Sequence, residues 1–440
     1  MELESQAGRA IGDTFPFWKN PAGWLQQKEL GGGFWRFFAV AFFFNAGFSV
    51  YLFLFNLYLL DFHFNERAIG LLAGAMTLGS LAGTLPAGLL ARKIGLRPLL
   101  LFSLIVPPLL FALRATWIWE PAQLIMAFLA GALMSTWGVC FIPAVARLTT
   151  EKNRPSAFSL LFVVGIGTGA LGGLVCGYLP KWLNMAGFNL QATEVKRLIL
   201  IVSCCIVLLG VIPMMKLQLP APSEEKEMAE IQPVGRHLFQ RLKAHSFLLR
   251  FLPVMALWAT IEAAFTPFSN IYLSRQLHTP LTRIGLIFSA AQVLQLCMGL
   301  LAPVVFRLLG LINGIVTIQV AIALALGAMA GAGDGNFAIG FYLTFCAIQW
   351  MSFPGLNSLL TNETPNRDLS MASATMMFCN ALAGAAATAT AGVLYTRFGY
   401  PHVLAGIACV AAVIAILFRG LLGKNHHLAR QPQVVAGLVP

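Results

Sequence analysis

Charged residues cut this chain into apolar runs. Setting Glu262 aside, the long charge-free segments are 37–60, 68–91, 98–113, 121–146, 155–180, 198–215, 251–274, 284–306, 308–333, 335–362, 369–396 and 398–418. A helix crosses a bilayer with roughly 20 mostly apolar residues, so the pattern predicts twelve transmembrane helices. Runs 98–113 and 198–215 are short. The flanking Arg114 and Lys216 can snorkel to the interface, which keeps both as spans.

Composition supports that reading. Of 440 residues, 58% are hydrophobic and 10% charged, against about 25% charged in soluble domains. Mean hydropathy is +0.77. The net charge of +12 would suggest nucleic acid in a soluble protein, but here the basic residues lie between spans. Of the 29 Lys and Arg residues, 21 fall in alternate gaps that include both chain ends and the central loop, and 8 fall in the others. The positive-inside bias places both termini in the cytoplasm, with a bacterial inner membrane as the expected location. No cleavable signal peptide is evident; Phe17, Trp18 and Trp24 suggest an interfacial helix near 15–29. The eight cysteines all fall in apolar runs, without metal-ligand spacing. No cofactor is expected.

The central loop, with acidic Glu224, Glu225, Glu227 and Glu230 followed by basic Arg236, Arg241 and Lys243, divides six spans from six. The expected organisation is a cytoplasmic segment 1–33, bundles 34–216 and 248–420 joined by loop 217–247, and a tail 421–440. The halves echo one another. Asn56-Leu57-Tyr58-Leu59 matches Asn270-Ile271-Tyr272-Leu273, and Ile69-Gly70-Leu71 matches Ile284-Gly285-Leu286. Arg92 with Gly95-Leu96 matches Arg307 with Gly310-Leu311, and Glu151 to Arg154 matches Glu363 to Arg367. Six spans per half preserve orientation, so the repeat is parallel, with a binding site between the halves near the midplane.

The twelve spans, the repeat and one loop motif together resemble the major facilitator superfamily over about residues 34–420. The motif is GLLARKIGLRP, where Gly88, Lys93, Gly95 and Arg97 fit the family pattern. Arg92 stands where the family has Asp, a residue that helps latch the halves on the cytoplasmic side, so the usual latch is in doubt. Simple topology determination accounts equally well for Arg92, Lys93 and Arg97. The glycine-rich fifth span (Gly165, Gly167, Gly169, Gly172, Gly173, Gly177) partly resembles drug–proton antiporters and tilts the reading towards export; close helix packing is the simpler explanation. The resemblance implies an all-α membrane fold of two six-helix bundles related by a pseudo-two-fold, and a cavity lined mainly by spans one, four, seven and ten.

Glu262 is the prime candidate for function. It sits mid-span among apolar residues, and ionisable groups at that depth mark functional sites by default. Trp258 and Thr266 share its face. Pro267 removes a backbone donor and frees a carbonyl near Ala263. Such broken backbone is tolerated where protein or a water-filled cavity satisfies it. A carboxyl there can alternate between protonated and hydrated states, as proton coupling requires; the alternative is a protonated packing contact. Asn45, Ser49, Gln292, Gln295, Gln349, Asn357 and Asn380 are the other cavity candidates, with interhelical hydrogen bonding as the competing role. Asn56 and Asn270, at span ends, read as structural.

A secondary transporter for a small organic solute, with protons as coupling ion, is the favoured function. A uniporter or a non-transporting sensor of the same fold is the alternative. The spans hold no Lys or Arg to neutralise an anion, so the cargo is expected to be neutral, zwitterionic or cationic. The seven histidines lie in loops, span ends or tails and no second carboxylate joins Glu262, which argues against a membrane-embedded enzyme. No catalytic or metal-binding set is seen, and no nucleotide loop supports an ATP-driven pump. The chain is expected to act as a monomer.

Overall fold

The computed structural model describes residues 30–150, 153–185, 187, 191–219, 246–364 and 366–422. The apolar runs form helices because hydrocarbon leaves backbone polar groups no partner outside their own segment. The first half contains α1 (Gly32–Leu60), α2 (Glu66–Ile94), α3 (Leu96–Thr116), α4 (Glu120–Leu148), α5 (Arg154–Met185) and α6 (Ala192–Leu209, continued as Val211–Met215). The second begins with α7 (Ser246–Phe265), followed by α8 (Leu281–Leu309) and α9 (Leu311–Gly331). Helix α10 comprises Gly335–Gln349 and Ser352–Glu363, broken at Trp350 and Met351.

The last helical stretch, Asn366–Leu422, is two helices meeting at Gly399, where φ is +72° and ψ is 170°. We label them α11 (366–398) and α12 (400–422). Eleven helical stretches are long and apolar enough to span a membrane, and the last of these, Met371–Leu422, contains two such helices. The protein is a twelve-helix, multi-pass membrane protein.

The repeat is visible in the backbone. Helices α2 and α8 are both 29 residues and α3 and α9 both 21, at one constant offset. Gly95 and Gly310 join each pair with φ of +89° and +78° and ψ of 165° and 163°. Side chains rarely adopt that left-handed conformation, so glycine recurs where one helix must reverse sharply into the next.

Two seams join the halves: α2 against α11 and α5 against α8. Small residues permit both. A methyl group at Gly70 would meet the Thr388 carbonyl and Gly392 of α11, and one at Gly173 would meet Ser289 and the Gly285 carbonyl of α8.

One expectation is corrected. Arg114 does not snorkel. It is 3% exposed, its guanidinium lies 4.6 Å from the centre of the Phe55 ring, and its Nε donates to Gln123 at 3.2 Å. Residues 220–245 of the central loop, the segment around 15–29 and Glu151 lie outside the described residues.

Candidate functional site

Helix α7 changes character after Phe265. Thr266–Phe268 is a 3₁₀ turn, Ser269–Ile271 returns to α, and Tyr272–Gln276 is π-helical. The break follows Pro267, which cannot donate. The carbonyl expected to be freed, that of Ala263, accepts from the Thr388 hydroxyl of α11 at 2.9 Å. Protein, not the cavity, satisfies this part of the broken backbone.

The end of the molecule where α1 terminates and α7 breaks is called the far side; α1 begins on the near side. At the far side the two halves interlock. Asn56 Nδ2 donates to the Pro267 carbonyl at 2.9 Å, and Asn270 Nδ2 donates to the Phe53 carbonyl at 2.9 Å. The asparagines are repeat partners, and each reaches the carbonyl three residues before the other. Nearby, Arg275 pairs with buried Glu66 at 2.9 Å, and the Arg67 N–H donates to Thr396 at 3.2 Å. Lower in the α5–α8 seam, Thr282 donates to the Gly177 carbonyl at 3.0 Å and Ser289 to that of Ala170 at 2.5 Å. Helices α2 and α11 also expose large apolar side chains along their outer faces, as lipid-facing surfaces do: Leu85 and Leu89 of α2 are 75% and 67% exposed, and Met377 and Phe398 of α11 are 68% and 59% exposed.

Two adjoining cavities lie between the seams. One, of about 710 Å³, is walled by α1, α4 and α5, including Asn45, Trp137, Phe141 and Phe158. The other, of about 290 Å³, lies between α5 and the second half. Its wall includes Thr266 and Ser269 of α7, Phe288, Gln292 and Gln295 of α8, and Tyr342, Phe345, Gln349 and Trp350 of α10. Phe162, Gly165 and Ile166 belong to both walls. Gly169 makes room for Gln292: a methyl there would sit 2.7 Å from the Gln292 amide nitrogen.

Of the sequence candidates, the structure brings together Asn45, Thr266, Gln292, Gln295 and Gln349. Ser49 is not on either wall; its hydroxyl donates to the Asn45 carbonyl one turn back, at 2.5 Å. Trp258 is 2% exposed and its indole N–H has no partner, off the cavity. Asn357 and Asn380 also lie off both walls, and the Asn380 side-chain oxygen is buried without a partner. Glu262 is half-buried and makes no hydrogen bond or ion pair with another described residue. It lies one helical turn to the near side of Thr266, on the same stripe, and outside both walls. Phe288, Phe345 and Tyr342 escaped the sequence reading, because aromatic residues are too common in these spans to single any out.

In the loop after α2, Arg92 and Lys93 are exposed and bond to no other described residue, while Arg97 donates to the Met215 carbonyl at 2.7 Å. Arg92 therefore makes no latch contact with a described residue in this conformation. Among the described residues no group of three or more His, Cys, Asp or Glu could hold a metal ion, and all eight cysteines are unpaired.

The sequence profile of the Major Facilitator Superfamily matches residues 37–388. No curated protein matches in sequence. Among solved structures, the nucleoside transporter NupG (D323A mutant) superposes with a TM-score of 0.73 at 15% identity, covering 89% of this chain and 100% of its own. A bacterial homologue of the human lysosomal transporter Spinster, inward-facing and unoccupied, gives 0.68 at 12% identity, covering 89% and 95%. The xylose transporter XylE from E. coli, inward open, gives 0.64 at 16% identity, covering 88% and 95%. At these identities the likeness concerns the fold.

Proposed function

The chain belongs to the Major Facilitator Superfamily, secondary transporters rather than enzymes, and from that premise we propose that it moves a small organic solute by proton-coupled alternating access. The observation that carries this is the interlock of the two halves on the far side, above a cavity that lies between α5 and the second half. With 21 of 29 Lys and Arg residues in the near-side gaps, the near side is the cytoplasmic one. The conformation is then inward-facing, with both termini in the cytoplasm.

Glu262 is the proposed coupling group. No cation among the described residues pairs with it, so as an anion it needs water or a ligand. In this proposal the half-buried carboxyl is reached by water from the near side when the protein faces inward. Closing that side removes the water and favours the protonated acid. Protonation then follows the facing of the protein, which is what couples a proton gradient to a cargo. Of the fifth-span glycines that pointed to export, Gly173 and Gly177 pack α5 on α8, Gly169 makes room for Gln292 and Gly172 lies against Val50 of α1; packing therefore accounts for these four.

Proteoliposomes test the coupling, with uridine and D-xylose as trial solutes. Glu262→Gln mimics the protonated acid and keeps the fold. It is expected to abolish accumulation driven by a pH gradient while sparing counterflow exchange. Accumulation by the variant equal to the parent's overturns the coupling role.

A further inference from the structure

We propose that the smaller cavity selects an uncharged, ring-shaped solute carrying several hydrogen-bonding groups along one edge, the chemistry shared by nucleosides and monosaccharides. The assignment rests on reading this cavity as the transport site. It narrows the charge classes that the sequence leaves open.

Charge is the first consideration. Among the described residues, no Asp, Glu, Lys, Arg or His belongs to either cavity wall. A zwitterionic or cationic cargo needed Glu262 at the ligand, and Glu262 lies off the wall. A charged solute entering this space would lose its hydration without a compensating partner, which is strongly unfavourable.

The polar groups say what replaces charge. Gln292, Gln295 and Gln349 form no side-chain hydrogen bond with another described residue, yet they face one cavity from α8 and α10. Each carboxamide offers donors and an acceptor side by side. Three of them suit a ligand edge on which donors and acceptors alternate, as in vicinal hydroxyls or the edge of a heterocycle. A carboxylate would leave the amide donors partnered and their oxygens facing an acceptor; an ammonium would do the reverse.

Shape comes from the rings. Phe288 lies one turn from Gln292, and Phe345 one turn from Gln349. Neither ring is loose: Phe288 packs on Phe53 at 4.8 Å between centroids, and Phe345 on Phe265 at 5.3 Å. Flat apolar faces flanking amides favour a ring over a flexible chain. The volume of about 290 Å³ is at the small end for ligand pockets, which suits one compact solute and disfavours a large drug.

Thermal unfolding of the purified full-length protein tests this with a panel at millimolar concentration: uridine, D-xylose, choline, alanine and benzoate. A ligand of the folded state raises the melting temperature. Uridine or D-xylose is expected to raise it, and the other three are not; which of the two acts tells nucleoside from sugar. Gln295→Leu and Gln349→Leu are each expected to weaken the response about fivefold or more, as loss of one hydrogen bond of ~1 kcal/mol implies, while leaving the ligand-free melting temperature unchanged. Stabilisation by choline, alanine or benzoate instead, no shift with either neutral solute, or a full response in both variants overturns the proposal. The two readings fail separately. Binding of a neutral solute without pH-driven transport would sink the coupling reading and leave this one standing, and pH-driven uptake of a charged solute would do the reverse.

Discussion

Asn56 and Asn270 tie the two halves together reciprocally on the far side. Each supplies one hydrogen bond across the far side, and each bond contributes about 1 kcal/mol. Replacing either by Ala is expected to shift the balance between facings about fivefold towards the outward state. Labelling of Ser269→Cys by an impermeant maleimide from the far side reads this, since Ser269 lies on the cavity wall beneath the closure. A far-side labelling rate unchanged by Asn56→Ala and Asn270→Ala together would contradict the clamp. The sequence shows the two asparagines as repeat partners at span ends, and their structural role is legible from that. Their reciprocal bonding is not, because it depends on two helices far apart in sequence meeting face to face. Glu262 is legible as the lone charge within an apolar run. Its place beside the cavity rather than on its wall depends on how α7 packs among its neighbours, which no residue pattern encodes. Ser49 misleads for a local reason: its hydroxyl is used by its own helix.

At the scale of helices, glycines in the same span play opposite parts, and surroundings decide which. Gly173 faces Ser289 and the Gly285 carbonyl, whereas nothing lies within 4 Å of a methyl built on Gly167. Gly173→Val therefore has to part α5 from α8. It is expected to lower the melting temperature in detergent and raise far-side labelling. Gly167→Ala is expected to leave both unchanged or to stabilise by roughly 0.5–1 kcal/mol through helix propensity. Equal behaviour of the two variants would show that the seam is not close-packed. Gly399 is a different case. Its φ of +72° with ψ of 170° lies in a region held almost only by glycine and costs another residue about 1–3 kcal/mol, so Gly399→Ala should lower stability by that order in thermal unfolding. The charged gaps locate nearly every helix, since charges cannot stay in hydrocarbon. The break in α10 at Trp350 and Met351 is legible in the same way as that in α7: Pro354 cannot donate to the Trp350 carbonyl four residues back, and its ring crowds it. Arg114 shows the limit of reading charges alone. Aromatic residues of α1 and α3 cover it, and that cover depends on helix packing.

At the scale of the whole molecule, the parallel repeat is legible from its recurring glycines and asparagines, and it implies two similar bodies able to rock about the site between them. The direction in which they are tipped is set by the sum of the seams. The far-side contacts hold this structure in one facing, and transport requires the opposite one. Distances between spin labels on the two halves test that most directly, in protein whose exposed Cys205, Cys297 and Cys409 are replaced by Ser. One pair, Arg92→Cys with Arg307→Cys, reports the near side; the other, Trp117→Cys with Phe337→Cys, reports the far side. The parent is expected to show a long near-side and a short far-side distance. Adding Asn56→Ala and Asn270→Ala should populate a second state in which the near-side distance shortens as the far-side distance lengthens. Distances that stay fixed, or that lengthen together on both sides, would contradict alternating access in this protein.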